Sequence, residues 1–269
     1  MRLTPVTRRS ALTLDDRSAQ RPDELPDDDV VKEQTSALLD RLDLLQRKLY
    51  ADGRYSLLVV LQGRDASGKD GTVRKVFGAC NPAGCAVMSF KAPTPLELSH
   101  DFLWRIHQAA PAKGHIGIFN RSQYEDVLIV RVRDLVPKKV WSKRYAQINE
   151  FERTLDLAGT KILKFFLHIS HEEQRERLLD RLTDPEENWK FRAGDVDERA
   201  LWNDYTKAYR DALRECSTAW APWYVVPADD KKARNYLIAR TVVDALESLD
   251  LRYPKVDRAA LKLRRKLRR

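Results

Sequence analysis

The run Val59-Val60-Leu61-Gln62-Gly63-Arg64-Asp65-Ala66-Ser67-Gly68-Lys69-Asp70-Gly71 feeds an apolar strand into a glycine loop that ends in Gly-Lys and opens a helix. Few folds accept that order, because the chain must curl at the end of a buried strand and present successive N–H groups at a helix N-terminus. Those groups, the helix dipole and the Lys69 ammonium form a cradle for phosphate. The spacing Gly63-x-x-x-x-Gly68-Lys69 fits a P-loop, with Ala66, Ser67, Asp70 and Gly71 in the same cradle. Asp70 stands where Ser or Thr usually ligates magnesium. Asp65 offers a carboxylate instead, since magnesium takes one or two carboxylates together with phosphate oxygens. The same glycines would also serve a plain turn between strand and helix.

At 269 residues, with 43% hydrophobic and 33% charged content, the chain can bury one large core and does not resemble a disordered or fibrous sequence. No apolar stretch approaches the ~20 residues that span a bilayer, and the N-terminus has no apolar signal segment. The expectation is a soluble, cytoplasmic protein without a membrane partner. Cys80, Cys85 and Cys216 are odd in number and lack metal-ligand spacing, which suits reduced thiols. Of the formal charge of +9, seven basic residues fall between Arg258 and Arg269, leaving +2 for the rest. A basic groove for a specific nucleic acid is therefore not expected. The tail reads as a solvated terminus, or as a grip for a polyanion.

Residues 1–29 carry Pro5, Pro22 and Pro26 and little periodicity, which predicts an extended arm. Leu38, Leu39, Leu42, Leu45 and Leu49 predict an amphipathic helix over 31–50. Short apolar runs at 56–61, 85–90, 115–119, 161–169 and 223–226 predict strands buried on both faces. Helical stretches lie between them, at 69–78, 96–109, 122–133, 140–157, 171–182, 197–216 and 231–249. This alternation predicts an α/β sandwich of three layers, its sheet mostly parallel with about five strands and helices on both faces. One domain is expected from 30 to 253, followed by the basic tail at 254–269. Ligands in such sheets sit at the carboxyl ends of the strands.

The strand at 115–119 ends at Asn120-Arg121-Ser122-Gln123-Tyr124-Glu125-Asp126, which places a guanidinium and two acids at that edge. Asp126 and Asp65 together would hold magnesium against phosphate oxygens, while Arg121 neutralises a transferring phosphoryl group. Arg121 and Glu125 are also spaced for a simple surface ion pair. Lys91 follows another strand and adds a cation. His100 and His107 fit a structural role better than a catalytic one. Ser170 and Glu173 have capping-box spacing and predict a helix that carries Arg175, Arg177 and Arg181 outward toward the turn at Asp184-Pro185. A lid over 171–195 would suit those arginines; so would a solvated helix paired with Glu172, Glu173 and Glu176.

Taken in order, these motifs resemble the polyphosphate kinase 2 family. The resemblance runs from about Leu38 to Pro227. It includes 63–71, Ser89-Phe90-Lys91, His100-Asp101-Phe102-Leu103-Trp104-Arg105, 119–126, Asp184-Pro185 with Trp189-Lys190, and Ala221-Pro222-Trp223-Tyr224. An Asp commonly follows the loop lysine in that family, which accounts for Asp70. The resemblance implies a P-loop NTPase-like kinase fold with an α-helical lid. It also implies reversible phosphoryl transfer between inorganic polyphosphate and adenine nucleotides, with guanine nucleotides as the alternative. Magnesium, which manganese would replace, is the implied cofactor. Carried over, Asp65 and Asp126 look like metal ligands, Lys69 and Arg121 like phosphate grips, and Lys91, Arg177 and Arg181 like further phosphate contacts. The Asn81-Pro82-Ala83-Gly84 run, with the motifs at 100–105 and 120–126, is most similar to the subclass that acts on both AMP and ADP. Tyr124 and Glu125 would tune the acceptor. A dimer or tetramer is also implied. The alternatives are a family member restricted to one acceptor, an ATP-dependent nucleoside monophosphate kinase, and a non-enzymatic nucleotide sensor whose basic tail clamps nucleic acid or membrane.

Overall fold

The computed structural model describes residues 1–7, 10–191, 194–256, 263 and 267. In chain order its elements are α1 (Asp28–Asp52), β1 (Ser56–Gln62), α2 (Lys69–Val76), β2 (Cys85–Ser89), α3 (Pro95–Leu98), α4 (Trp104–Ala109), β3 (Ile116–Asn120), α5 (Ile129–Val132), α6 (Lys138–Leu157), β4 (Thr160–His168), α7 (His171–Thr183), α8 (Gly194–Ala200), α9 (Trp202–Glu215), β5 (Trp223–Pro227) and α10 (Lys231–Glu247). The five strands pair in parallel in the order β2-β3-β1-β4-β5. The chain leaves central β1 toward β2 and β3 on one side, then returns to β4 and β5 on the other. That reversal opens a crevice at the carboxyl end of β1.

Alternation along β1 builds the two outer layers. Leu57, Val59 and Leu61 join a core with Leu42, Leu45 and Leu49 of α1 and Leu237, Ile238 and Val242 of α10. Leu58 and Val60 face the other way, into a core with Ile148 and Phe151 of α6 and Tyr209 and Leu213 of α9. A strand covered on both faces needs no polar alternation, which is why β1 reads as one apolar run.

β2 corrects the expectation of strands all buried on both faces. It is an edge strand, and Val87 and Met88 are 49% and 45% exposed. Three expected helices are broken. Between α3 and α4, the Ser99 hydroxyl turns back to the Leu96 carbonyl and the Asp101 carboxylate takes the Leu103 N–H, so local side-chain bonds compete with the helix. Within 122–133, the Ser122 hydroxyl accepts from Tyr124 N and starts a 3-10 turn over Gln123–Val127. Leu128, at φ −104 and ψ −89, then separates that turn from α5. Leu201 parts α8 from α9.

The segment before α1 packs on the domain. Val6 N–H donates to the Trp223 carbonyl at 2.8 Å, and Leu14, Ala19 and Leu25 are buried. His168 Nε2–H donates to the Asp15 carbonyl at 2.8 Å. Most of the basic tail, residues 257–262, 264–266, 268 and 269, lies outside the described residues. No helix among the described residues is long and apolar enough to cross a membrane.

Candidate active site

β1 ends at Gln62 and α2 begins at Lys69, so residues 63–68 form the loop at the open end of the central strand. Gly68 has φ +93, which an L side chain rarely adopts, and a Cβ there would meet Arg234 Nη1 at 1.9 Å. Ala66 lies at φ +64 without being glycine. Lys69 folds back over the loop, donating to the carbonyls of Gly63 at 2.7 Å and Arg64 at 3.0 Å. Burial, with the Arg121 charge nearby, pulls its ammonium down to about 8. Asp70 accepts from Asn120 Nδ2 at 2.5 Å, so the residue that replaces Ser or Thr fastens the start of α2 to the end of β3.

Arg121 leaves β3 at φ +63, with its N–H on the Leu61 carbonyl. Its guanidinium lies 2.6 Å from Asp65 Oδ1 and 3.2 Å from Glu125 Oε2. The Glu125 charge is the largest influence on Arg121 and, with Asp65, holds it firmly protonated against its burial. Burial pushes the Asp65 carboxyl up, but Arg121, Lys69 and Arg181 together outweigh it and leave the group below its ordinary value. Asp65, Lys69, Arg121 and Glu125 thus form one electrostatic unit at the mouth of the loop.

Asp126 is turned elsewhere. Arg144 of α6 donates to its carboxylate at 2.8 Å and to its carbonyl at 3.2 Å. Burial raises Asp126 to about 6, against the opposing charges of Arg144 and Arg105. Lys91 is exposed beyond β2, and its carbonyl takes Arg105 Nη1 at 2.9 Å.

In α7, Arg177 does not point outward as the sequence predicts. It is buried, and its guanidinium donates to Ala66 O at 2.9 Å, Ala228 O and Asp229 O at 2.7 Å each, and Glu173 Oε1 at 2.7 Å. It grips the loop from beneath, which helps hold Ala66 in its positive-φ conformation. Arg175 does stay on the surface, paired with Glu172. Arg181 faces Asp195 of α8 at 3.8 Å. Gln174 Nε2 donates to the Asp65 carbonyl at 3.0 Å.

These groups set a glycine loop and a Lys–Arg–carboxylate cluster against the arginine-bearing helix α7. The profile of the family described as Polyphosphate kinase 2 matches residues 26–254. The chain belongs to the polyphosphate kinase 2 family. It is 54% identical over 231 residues to the AMP/ADP-polyphosphate phosphotransferase of Meiothermus ruber, spanning 86% of each chain. It is 47% identical over 236 residues to the ADP-polyphosphate phosphotransferase of Rhodopseudomonas palustris, spanning 83% of this chain and 82% of that one. The crystal structure of polyphosphate kinase 2 from Arthrobacter aurescens TC1 superposes with a TM-score of 0.88 at 44% identity, covering 94% of this chain and 91% of that chain.

Four residues of this polyphosphate kinase 2 site were not singled out from the sequence. Gln174 shares a helical face with Arg177, Leu178 and Arg181, a spacing that periodicity alone would have revealed. Arg64 lies 3.8 Å from the centre of the Trp202 ring and donates to Thr206 Oγ1 at 2.5 Å, while its Nε and Nη1 are buried with no partner among the described residues. Burial draws it down to about 10. Arg234 of α10 reaches the loop at Gly68, and Arg144 of α6 reaches Asp126. These last contacts join residues far apart in the chain, and no local pattern announces them. The Tyr124 side chain is fully buried, so it cannot touch an acceptor directly.

Proposed function

We propose that this polyphosphate kinase 2 transfers the terminal phosphoryl group of inorganic polyphosphate reversibly to AMP and ADP, giving ADP and ATP. The observation that carries the reading is the cradle at 63–69 facing the Asp65–Arg121–Glu125 unit, in a chain 54% identical to an AMP/ADP-polyphosphate phosphotransferase. An acceptor phosphate is already a nucleophile at neutral pH, so the site needs no strong general base. It needs cations that spread charge as the phosphoryl group passes in line between two oxygens. Arg121, anchored by two carboxylates, supplies one. Lys69 supplies another when it exchanges the Gly63 and Arg64 carbonyls for phosphate oxygens. Arg181 and Lys91 lie further out as contacts for donor or acceptor phosphates, and the backbone of Gly63, Ala66, Ser67, Gly68, Asp70 and Gly71 cradles them. Arg177 acts on the loop from below.

Magnesium, or manganese in its place, fits the donor set because Asp65 and Asp126 offer hard oxygens. No cluster of three or more metal-ligating side chains occurs among the described residues, so phosphate oxygens would complete the shell. When bound, the ion withdraws charge from the transferring phosphoryl group. Asp65 already stands at the loop, whereas Asp126 would have to trade its Arg144 partner. The same reading places the protein in the cytoplasm as a dimer or tetramer, and the exposed apolar edge at β2 supports assembly.

The test offers AMP and ADP separately with long-chain polyphosphate and magnesium but no ATP, and resolves all nucleotides by chromatography. ATP formed from both acceptors is the expected result. Product from AMP only when ATP is the donor would make the chain an ordinary nucleoside monophosphate kinase.

A further inference from the structure

A fully buried ion pair lies beneath the Arg121 segment. Lys164, in the middle of β4, and Glu152, on α6, meet at 2.5 Å, and neither side chain is exposed. Lys164 Nζ also donates to Tyr124 Oη at 2.8 Å and to the Cys216 carbonyl at 2.7 Å, which uses all three ammonium donors. Glu152 Oε1 accepts from Tyr124 Oη at 2.8 Å and from Gln123 Nε2 at 3.0 Å. The Tyr124 ring packs edge-on against Trp223 at 4.7 Å.

A satisfied buried pair of this kind roughly breaks even in stability against an apolar pair of the same volume. What it adds is geometry, because each partner fixes the direction of the next. Gln123 and Tyr124 are the first residues of the 3-10 turn that carries Glu125 and Asp126, and they follow Arg121, which sits at φ +63. A non-glycine residue stays in that conformation only where its surroundings over-determine it. On the other flank, Gln62 Nε2 holds Ser122 Oγ at 3.0 Å, directly before the glycine loop.

We propose that Glu152 and Lys164 are positioning residues for the phosphoryl transfer: by clamping Gln123 and Tyr124 they hold Arg121 and Glu125 against Asp65 at the mouth of the loop. The inference rests on the polyphosphate-transfer reading. Both side chains are fully buried, so they act through Gln123 and Tyr124 and not on a phosphate directly. Misaiming a transition-state cation lowers kcat more than it weakens ground-state binding.

The decisive variant replaces the pair together, Glu152→Leu with Lys164→Met, leaving no unpaired buried charge. Melting temperature is measured with kcat and KM for polyphosphate in the ATP-free assay, wild type alongside. Because Tyr124 Oη, Gln123 Nε2 and the Cys216 carbonyl lose partners, the melting temperature should fall by several degrees. Assayed well below both melting points, kcat should fall at least about 10-fold with KM changed less than about 3-fold. A kcat within about twofold of wild type, or a loss confined to KM, would overturn the inference. An inactive wild type would instead overturn the transfer reading. If the double variant does not fold, Tyr124→Phe decides: it removes one hydroxyl that links Lys164 to Glu152. It is expected to lower kcat about 5-fold with KM retained, and an unchanged kcat would overturn the proposal.

Discussion

Lys69 is the residue where protonation and function meet. Its ammonium is drawn to about 8 from an ordinary 10.5. Phosphate binding favours the charged form, so kcat/KM for polyphosphate should fall as pH rises through about 8. In Lys69→Arg, whose guanidinium stays charged, that limb should be missing; a wild-type profile flat to pH 10 would refute this role for Lys69. Stability runs the other way. Between about 8 and 10.5 the unfolded chain holds the proton that the folded chain has released, so this group's contribution to stability rises with pH. At the partner carboxylate, Asp126→Asn should lower turnover about 100-fold and raise the magnesium needed for half-maximal rate. A magnesium requirement unchanged in that variant would leave Asp126 as a structural partner of Arg144. The glycines, Lys69 and Arg121 were legible in the sequence because strand end, loop and helix start are contiguous there. The Asp126–Arg144 pair was not, since α6 brings its arginine from 18 residues away.

At the scale of elements, α7 links the glycine loop, through Gln174 and Arg177, to α8, through Arg181. The sequence showed where it begins, because Ser170 caps it through the Glu173 N–H. It did not show which arginine turns inward, because that depends on the carbonyls of Ala66, Ala228 and Asp229, contributed by two distant loops. Arg177→Met should orphan these carbonyls and lower stability by about 1–3 kcal/mol, along with activity. Arg181→Ala should leave the melting temperature near wild type and act on the kinetics alone. Thermal melts paired with the transfer assay separate the two; equal melting temperatures would show that Arg177 does not brace the loop. Two of the three broken helices, at 96–109 and 122–133, broke where Ser99, Asp101 and Ser122 bond the nearby backbone, a competition that hydrophobic spacing does not register.

For the molecule as a whole, the parallel sheet was legible from the alternation of apolar runs with helical stretches, and so was the placing of the glycine loop and the segment after Asn120 at its carboxyl edge. The order of the strands was not, and with it went the status of β2. An apolar run reads the same at the centre of a sheet as at an edge that another copy covers. Val87 and Met88 lie half-exposed on that edge without a charge to guard it. If the edge is an assembly surface, Val87→Lys should reduce the mass seen by light scattering while transfer per chain changes less than the mass; an unchanged mass would place the contact elsewhere.

The most direct measurement sets wild type beside Lys69→Ala in the ATP-free assay, with polyphosphate as the sole donor and AMP or ADP as acceptor. ATP should form from both acceptors with wild type, and at a rate about 100-fold lower with a variant whose circular dichroism is unchanged. Equal rates, or no product without added ATP, would contradict polyphosphate transfer at this loop.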